Sequence, residues 1–293
     1  MWCTQRQISY GCITVNVICE YLLFLFGSKT PSGNDYSGGA LNKIRSSLSF
    51  FLQYDIPRLG YEMPVVRLFN YFYKQRPVFP RYLVTWDVGL VLRFLAQWHP
   101  KDSLTLKQLT LKTVALIALT SSDRAQTLHA LRVDHAHLSA EGLVFVVSSR
   151  MKHSRKGSPV TKVTCVEWDA PELNVADYVL YYMSKTLKYR IKEFKKSGED
   201  VKQLFLSHRT GKPVQRASIS RWIREVLHLS GVDVSVFAPH STRGASVSEA
   251  ARRGASPAQI VAQGNWTQLG TYQRFYNREI HDTPVGQLIL QAS

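Results

Sequence analysis

Residues 238–279 read APHSTRGASVSEAARRGASPAQIVAQGNWTQLGTYQRFYNRE, and this stretch decides the fold. It opens on His-x-x-Arg, with His240 and Arg243 one helical turn apart. Both side chains can therefore address a single anion near a helix start, where backbone N–H groups already favour negative charge. A run of small residues continues that helix. Ser256-Pro257-Ala258-Gln259 then forms a capping box with proline at the first helical position, which starts another. Trp266 stands 26 residues beyond His240, and two tyrosines, Tyr272 and Tyr276, close the stretch. Being four apart, the tyrosines share one helix face, so either is able to reach an anion held there. Taken alone, His-x-x-Arg is common and says little; its company gives it meaning.

Outward from this stretch, the chain has 293 residues, enough for two domains with a substantial core, and 45% hydrophobic content excludes wholesale disorder. Thirty-seven Lys and Arg stand against 21 Asp and Glu, a net charge of +16 spread along the chain. This balance calls for a polyanionic partner, nucleic acid first and an anionic membrane surface second, and its spread favours a folded basic groove over a disordered arm. The bland alternative is charge that only keeps the protein soluble. Cys3, Cys12, Cys19 and Cys165 lack metal-ligand or redox spacing and read as ordinary buried thiols of a reducing compartment. No metal or cofactor is expected. The apolar run Val15–Phe26 contains Asn16 and Glu20, is too short to cross a bilayer, and lacks the marks of a signal peptide. The expectation is a nuclear or cytoplasmic protein with no membrane partner.

Apolar spacing predicts helices over Val15–Phe26, Ala40–Tyr54 and Met63–Tyr73. In the second, Leu41, Ile44, Leu48 and Phe51 form the buried stripe, which leaves Lys43 and Arg45 to meet phosphates. Gln75–Tyr82, with two prolines and two arginines (Arg81 among them), reads as a semi-rigid linker and sets a boundary between domains 1–78 and 79–293. Beyond it, Thr85 is expected to cap a helix through Trp98, and Leu104–Thr120 is a nearly all-apolar core helix. Leu143–Ser149 and Val160–Val166 read as a hairpin whose long polar tip is Arg150–Pro159. A helix over Asn174–Thr186 runs into the basic segment Lys185–Lys196, Leu204–Ser207 is a short strand, and Ile219–Leu227 is an amphipathic helix closed by Gly231. The fold class is mainly α with a small β-sheet (α+β), a small helical domain preceding a larger one.

These residues resemble the tyrosine recombinase (phage-integrase-like) family. Its second box is His-x-x-Arg, a His or Trp about 23–26 residues on, and a nucleophilic Tyr about ten further; His240, Arg243, Trp266 and Tyr276 match it. Leu119–Leu131 (LTSSDRAQTLHAL) resembles the first box and nominates Arg124, while Lys152 in the hairpin tip matches the place of the family's lysine, with Arg150, Arg155 and Lys156 beside it. Val15–Phe51, the run RPVFPRYLVTWDVGLVLRFL and the ending Trp266…Thr271-Tyr272-Gln273-Arg274-Phe275-Tyr276 look like recombinases of DIRS-like retrotransposons. The family commonly has an acidic residue three positions after its first arginine; Thr127 stands there. Tyr276 fits the family spacing, and Tyr272 is the alternative. The start at Met1-Trp2-Cys3 resembles the middle of a longer element protein, so a fragment or an abbreviated gene model is the expectation.

The resemblance implies a clamp on double-stranded DNA, with a helical SAM-like core-binding domain on one face and the catalytic domain on the other. It implies a homo-oligomer, dimer or tetramer, in which His281–Ser293 docks on a neighbour. It also implies roles. Arg124 and Arg243 hold the phosphate, Tyr276 attacks phosphorus to give a 3′-phosphotyrosine, and His240 assists with the phenol proton. Lys152 protonates the leaving 5′-oxygen, and Trp266 donates to the phosphate or buttresses the tyrosine. Lys43, Arg45, Arg81 and Arg155 are the expected backbone contacts. Each residue also has a plain alternative: a surface arginine, a capping histidine, a core tryptophan. At the level of function the rivals are a catalytically silent DNA-binding descendant and a type IB topoisomerase; an RNA-binding role fits least, for want of an aromatic RNP-type motif.

Overall fold

Capping chemistry and apolar spacing set most of the elements. The computed structural model describes residues 2–77, 79, 81–149, 160–264, 266 and 269–280. The chain divides into two compact units, Met1–Pro80 and Arg81–Ser293. In the first, a short α1 (Trp2–Gln5) precedes α2 (Val15–Gly27), α3 (Gly38–Phe51) and α4 (Met63–Gln75). Thr14 caps α2 by accepting from the Val17 N–H, Ser37 caps α3 by accepting from Ala40, and a proline in the first turn of α4 needs no hydrogen bond there. Ile18, Leu22, Leu25, Leu41, Val65, Phe69 and Phe72 form the unit's core. Phe26 stacks on Phe72 at 4.4 Å between centroids, and Arg76 closes the end by donating to the Tyr36 and Phe26 carbonyls.

The second unit is built around α6 (Leu106–Ser121), buried along most of its length and packed against α8 (Val175–Ser197), α9 (Arg216–Leu229) and α10 (Ser241–Arg252). Thr105 and Gln108 form a full capping box at its start. The expected cap at Thr85 is corrected: α5 (Val88–Ala96) begins at Asp87, whose carboxylate accepts the Gly89 N–H at 2.8 Å. The Thr85 N–H goes instead to the Glu279 carbonyl, 2.8 Å away, a pairing no local rule reveals.

Three strands, β1 (Ala136–Ser139), β2 (Gly142–Val147) and β3 (Thr161–Val166), make an antiparallel meander in the order β1-β2-β3. Phe145 pairs with Val163 and Leu143 with Cys165, so one face of β2–β3 enters the core. Burial pushes the Cys165 thiol up to about 12. Cys3 and Cys12, expected inside, are exposed. Leu204–Ser207 forms no strand; Leu206 makes only an isolated bridge to Pro213, because Gln203 and Leu204 turn their carbonyls to the Arg190 guanidinium. No helix among the described residues is long and apolar enough to cross a membrane.

Lys112 sits in the middle of α6 with no exposure, donating to the Trp98 carbonyl at 2.7 Å and lying 4.0 Å from the Tyr178 ring centroid. Burial pulls its ammonium down to about 8. Between that value and the unfolded one the unfolded chain binds more protons, so stability rises with pH through this window. Lys112→Met is expected to raise stability at pH 7 by on the order of 1 kcal/mol, because Tyr178 still donates to the Trp98 carbonyl. Urea titration at pH 7 and pH 10 checks both the gain and its shrinkage in alkali.

Candidate active site

One turn and one helix build the site. Helix α6 ends in Ser121-Ser122-Asp123-Arg124, where Ser122 is left-handed (φ 54°). A side chain in that region costs about 1 kcal/mol, so the turn is held by its surroundings. It aims the Ser122 carbonyl at Arg243, which donates to it at 2.8 Å, and sends Asp123 and Arg124 to a common cavity. Arg124 is the N-cap position of α7 (Ala125–His129) and half-buried.

The second component is α10. His240 stands at its N-cap and is exposed; Arg243, in its first turn, is only 2% exposed. The Arg243 guanidinium bridges two chain segments, donating to the Ser122 and Gly264 carbonyls, and lies 4.4 Å from the Trp266 ring centroid. Burial, then the nearby Arg124 charge, lowers it to about 10. Further along α10, Ser248 fixes the chain's last described turn: its hydroxyl donates to the Tyr276 carbonyl at 2.6 Å and accepts the Arg278 N–H at 3.0 Å. One helix thus places the histidine, the arginine and the tyrosine's backbone.

Helices α11 (Pro257–Gln263, with the expected Ser256/Gln259 capping box) and α12 (Leu269–Phe275) carry Trp266 and the tyrosines to this point. Trp266 lies against the Tyr276 ring at 4.8 Å. Gly264 must be glycine here, since a Cβ would run into the indole. The two tyrosines separate by burial. Tyr272 is 4% exposed, sits in a small core with Val247, Ile260 and Trp266, and donates to Asn277 Oδ1. Tyr276 is half-buried, with its hydroxyl 3.5 Å from His240 Nε2 and its ring 5.5 Å from the Arg243 carbon. That oxygen–nitrogen separation is long for a hydrogen bond but within the range that tightens when a substrate arrives.

A cavity of about 260 Å³ opens beside these groups, lined by Asp123, Arg124, Arg216, His240 and Arg243 among others. A second, of about 190 Å³, is shared by Arg81, Tyr82, His240, Gly244 and Tyr276. Two buried donors here, Arg243 Nε and Trp266 Nε1, have no acceptor among the described residues. No group of three or more His, Cys, Asp or Glu among the described residues is placed to hold a metal.

The structure therefore brings Arg124, His240, Arg243, Trp266 and Tyr276 together. Lys152 and Arg155 fall at residues 150–159, outside the described residues. Lys43 and Arg81 are exposed, whereas Arg45 is half-buried, its guanidinium 4.9 Å from the Phe69 ring and turned to the Gly60 carbonyl. Asp123 and Arg216 line the cavity without having been singled out from sequence. Asp123 had one signal, its place immediately before Arg124; Arg216 had none beyond its charge.

A family model described as "Phage integrase family" matches residues 95–281. A search of curated proteins gave no match in sequence. Among solved structures, the Tn1549 transposon integrase in complex with transposon right end DNA superposes with a TM-score of 0.53 at 14% identity, covering 96% of this chain and 86% of that one. A lambda integrase dimer bound to a COC′ core site gives 0.50 at 14% identity, over 93% and 68%. XerA recombinase gives 0.48 at 15% identity, over 99% and 95%.

Proposed function

The chain belongs to the phage integrase family, the tyrosine recombinases, and from that premise we propose that it cuts and rejoins DNA strands through a transient 3′-phosphotyrosine on Tyr276. The observation that carries this is the juxtaposition of the Tyr276 hydroxyl with His240 Nε2 at 3.5 Å, above a buried Arg243 and beside a cavity that Arg124 shares.

The chemistry follows from charge. A phosphodiester gains negative charge on its non-bridging oxygens as a nucleophile enters. Arg124 and Arg243 meet those oxygens with fixed positive charge, and the Trp266 indole N–H adds a neutral donor from the same side. The Tyr276 oxygen attacks phosphorus, and its proton passes to His240 Nε2 as the new O–P bond forms. The bond from phosphorus to the 5′-oxygen breaks, and Lys152 gives that oxygen a proton, leaving a free 5′-hydroxyl. Attack by a 5′-hydroxyl reverses each step and joins the strands. The phosphotyrosine keeps the energy of the broken bond, so no nucleotide is consumed.

On duplex DNA the exposed Lys43 and Arg81, together with Arg155, serve as backbone contacts, whereas Arg45 is engaged over Phe69; the two compact units are a helical core-binding domain and the catalytic domain. The neighbours solved on DNA, one of them as a dimer, support a DNA substrate; on this reading the protein works as a dimer or tetramer, with residues 281–293 as the docking segment. The motifs at Trp266–Tyr276 favour the recombinases of DIRS-like mobile elements, which would act on chromosomal DNA in a nucleus.

The test is a duplex substrate nicked beside the cleavage position, drawn from a library of candidate sites, incubated with the protein in EDTA. The expected result is a protein–DNA adduct resistant to denaturation, ending in phosphotyrosine. A protein that shifts the same duplex on a gel but never forms the adduct is a DNA-binding descendant without the activity. Relaxation of supercoiled plasmid without joining of two sites would point to a topoisomerase instead.

A further inference from the structure

We propose that the exposed face of α8 is a docking surface for a partner protein, and that what it takes is an acidic amphipathic helix. The inference is independent of the strand-cleaving reaction, since no residue of α8 lines either cavity beside Tyr276.

Burial divides α8 into three rows. Val175, Tyr178, Val179, Tyr182, Thr186 and Arg190 are buried and hold the helix to its unit. Leu180, Leu187, Ile191 and Phe194 make a second row, each between 41% and 52% exposed, with the exposed Ser184 in its one gap. Steps of four and three residues keep this row on one side of an α-helix over roughly 21 Å. A third row runs beside it: Lys185, Lys188, Lys192 and Lys195, stepping by three and four, all exposed.

Single exposed apolar side chains are ordinary, but four in line are not. The last three of them do little to attach their own helix. Beyond Thr186 the buried row shrinks to Arg190, whose guanidinium donates to the Val201, Gln203 and Leu204 carbonyls and ties the last turns down without them. The lysines are not neutralised either. Among the described residues none of the four is in an ion pair, although Glu193, Glu199 and Asp200 are close in sequence. Lys185 and Lys188 lie 4.8 and 5.2 Å from the Tyr181 and Tyr189 rings and remain exposed.

Together the rows specify the occupant. An apolar row at this spacing receives the i, i+3, i+4 and i+7 anchors of another helix. The row of cations beside it sets the charge next to those anchors, and acids complement it. Duplex DNA would meet the lysines but gain nothing from four apolar side chains. A lipid leaflet needs a broad apolar face, whereas this row is one side chain wide, with the half-buried Met183 and the buried Arg190 along its other flank. A second copy of the same face brings lysines, not acids.

The experiment measures, by fluorescence anisotropy on the full chain, binding of a synthetic helix with leucines at that spacing and glutamates along one flank. Three further probes are the same helix with lysines for glutamates, a peptide of residues 281–293, and vesicles of phosphatidylcholine and phosphatidylserine. The acidic helix is expected to bind, and the lysine helix to bind on the order of 100-fold more weakly. Leu187→Ser, Ile191→Ser and Phe194→Ser made together are expected to weaken the acidic helix on the order of 10- to 100-fold, with Tm and duplex affinity near wild type. Lys188→Glu, Lys192→Glu and Lys195→Glu made together are expected to reverse the preference, so that the lysine helix binds better; a misfolded protein would not gain binding in this way. An acidic helix that does not bind, or that binds the variants as it binds wild type, overturns the proposal. So does its displacement by the 281–293 peptide, which makes the occupant the tail of a second copy. Vesicle binding that the serine variant loses would make the face a membrane surface, and a loss of duplex affinity in that variant would make it a DNA contact; either result also overturns the proposal.

Discussion

Replacing Tyr276 with Phe is expected to abolish the covalent adduct, by on the order of 10⁴-fold or more, while leaving duplex affinity and Tm near those of wild type. Tyr276→Phe removes one oxygen, the proposed nucleophile. The ring stays, and with it the 4.8 Å contact to Trp266 and the Ser248 clamp on the Tyr276 carbonyl. The partner experiment is Tyr272→Phe. The Tyr272 ring is part of a small core, and its hydroxyl donates to Asn277 Oδ1 at 3.0 Å. Asn277 is exposed, so water replaces the lost donor. Adduct formation by Tyr272→Phe is expected within a few-fold of wild type. The measurement is one denaturing gel with three lanes: an adduct lost in Tyr272→Phe and kept in Tyr276→Phe would reverse the assignment and leave the mechanism standing.

That pair also shows what a sequence conveys and what it withholds. His240, Arg243 and the Ser256 capping box could be read at once, because each depends on neighbours within one helical turn. Tyr272 and Tyr276 could not be separated on periodicity, since residues four apart share a face; burial of Tyr272 beside Val247 and Ile260 separates them, and burial comes from contacts distant in sequence. Asp87 and Thr85 pose the same problem at a helix start. Both are good capping types, and the choice turns on the Thr85 N–H finding the Glu279 carbonyl across the unit. The hairpin β2–β3 was readable from alternation, whereas β1, four residues with a mostly exposed pattern, carried too little apolar signal.

The last expectation concerns the most buried cation of the site. Arg243→Lys keeps the charge, yet it is expected to slow adduct formation by about 10²- to 10³-fold. Arg243 joins three things at once: the turn after α6 through the Ser122 carbonyl, the end of α11 through the Gly264 carbonyl, and the Trp266 face at 4.4 Å. A planar fork does this because its nitrogens point in fixed, separate directions. A lysine offers one ammonium at the end of a flexible chain; it cannot bridge two carbonyls on opposite sides and still face a phosphate, and it gives the indole no flat partner. The freed carbonyls would be buried acceptors without donors, so Tm is expected to fall as well, by the equivalent of about 1–3 kcal/mol. The separation of the two losses is what tests the role. At saturating protein, below the lowered Tm, the single-turnover rate should remain depressed while duplex affinity changes little, because affinity comes from many phosphate contacts and this residue touches one. A rate that recovers to within tenfold of wild type once the protein is fully folded would make Arg243 a brace between α6 and α11, with the phosphate held by Arg124.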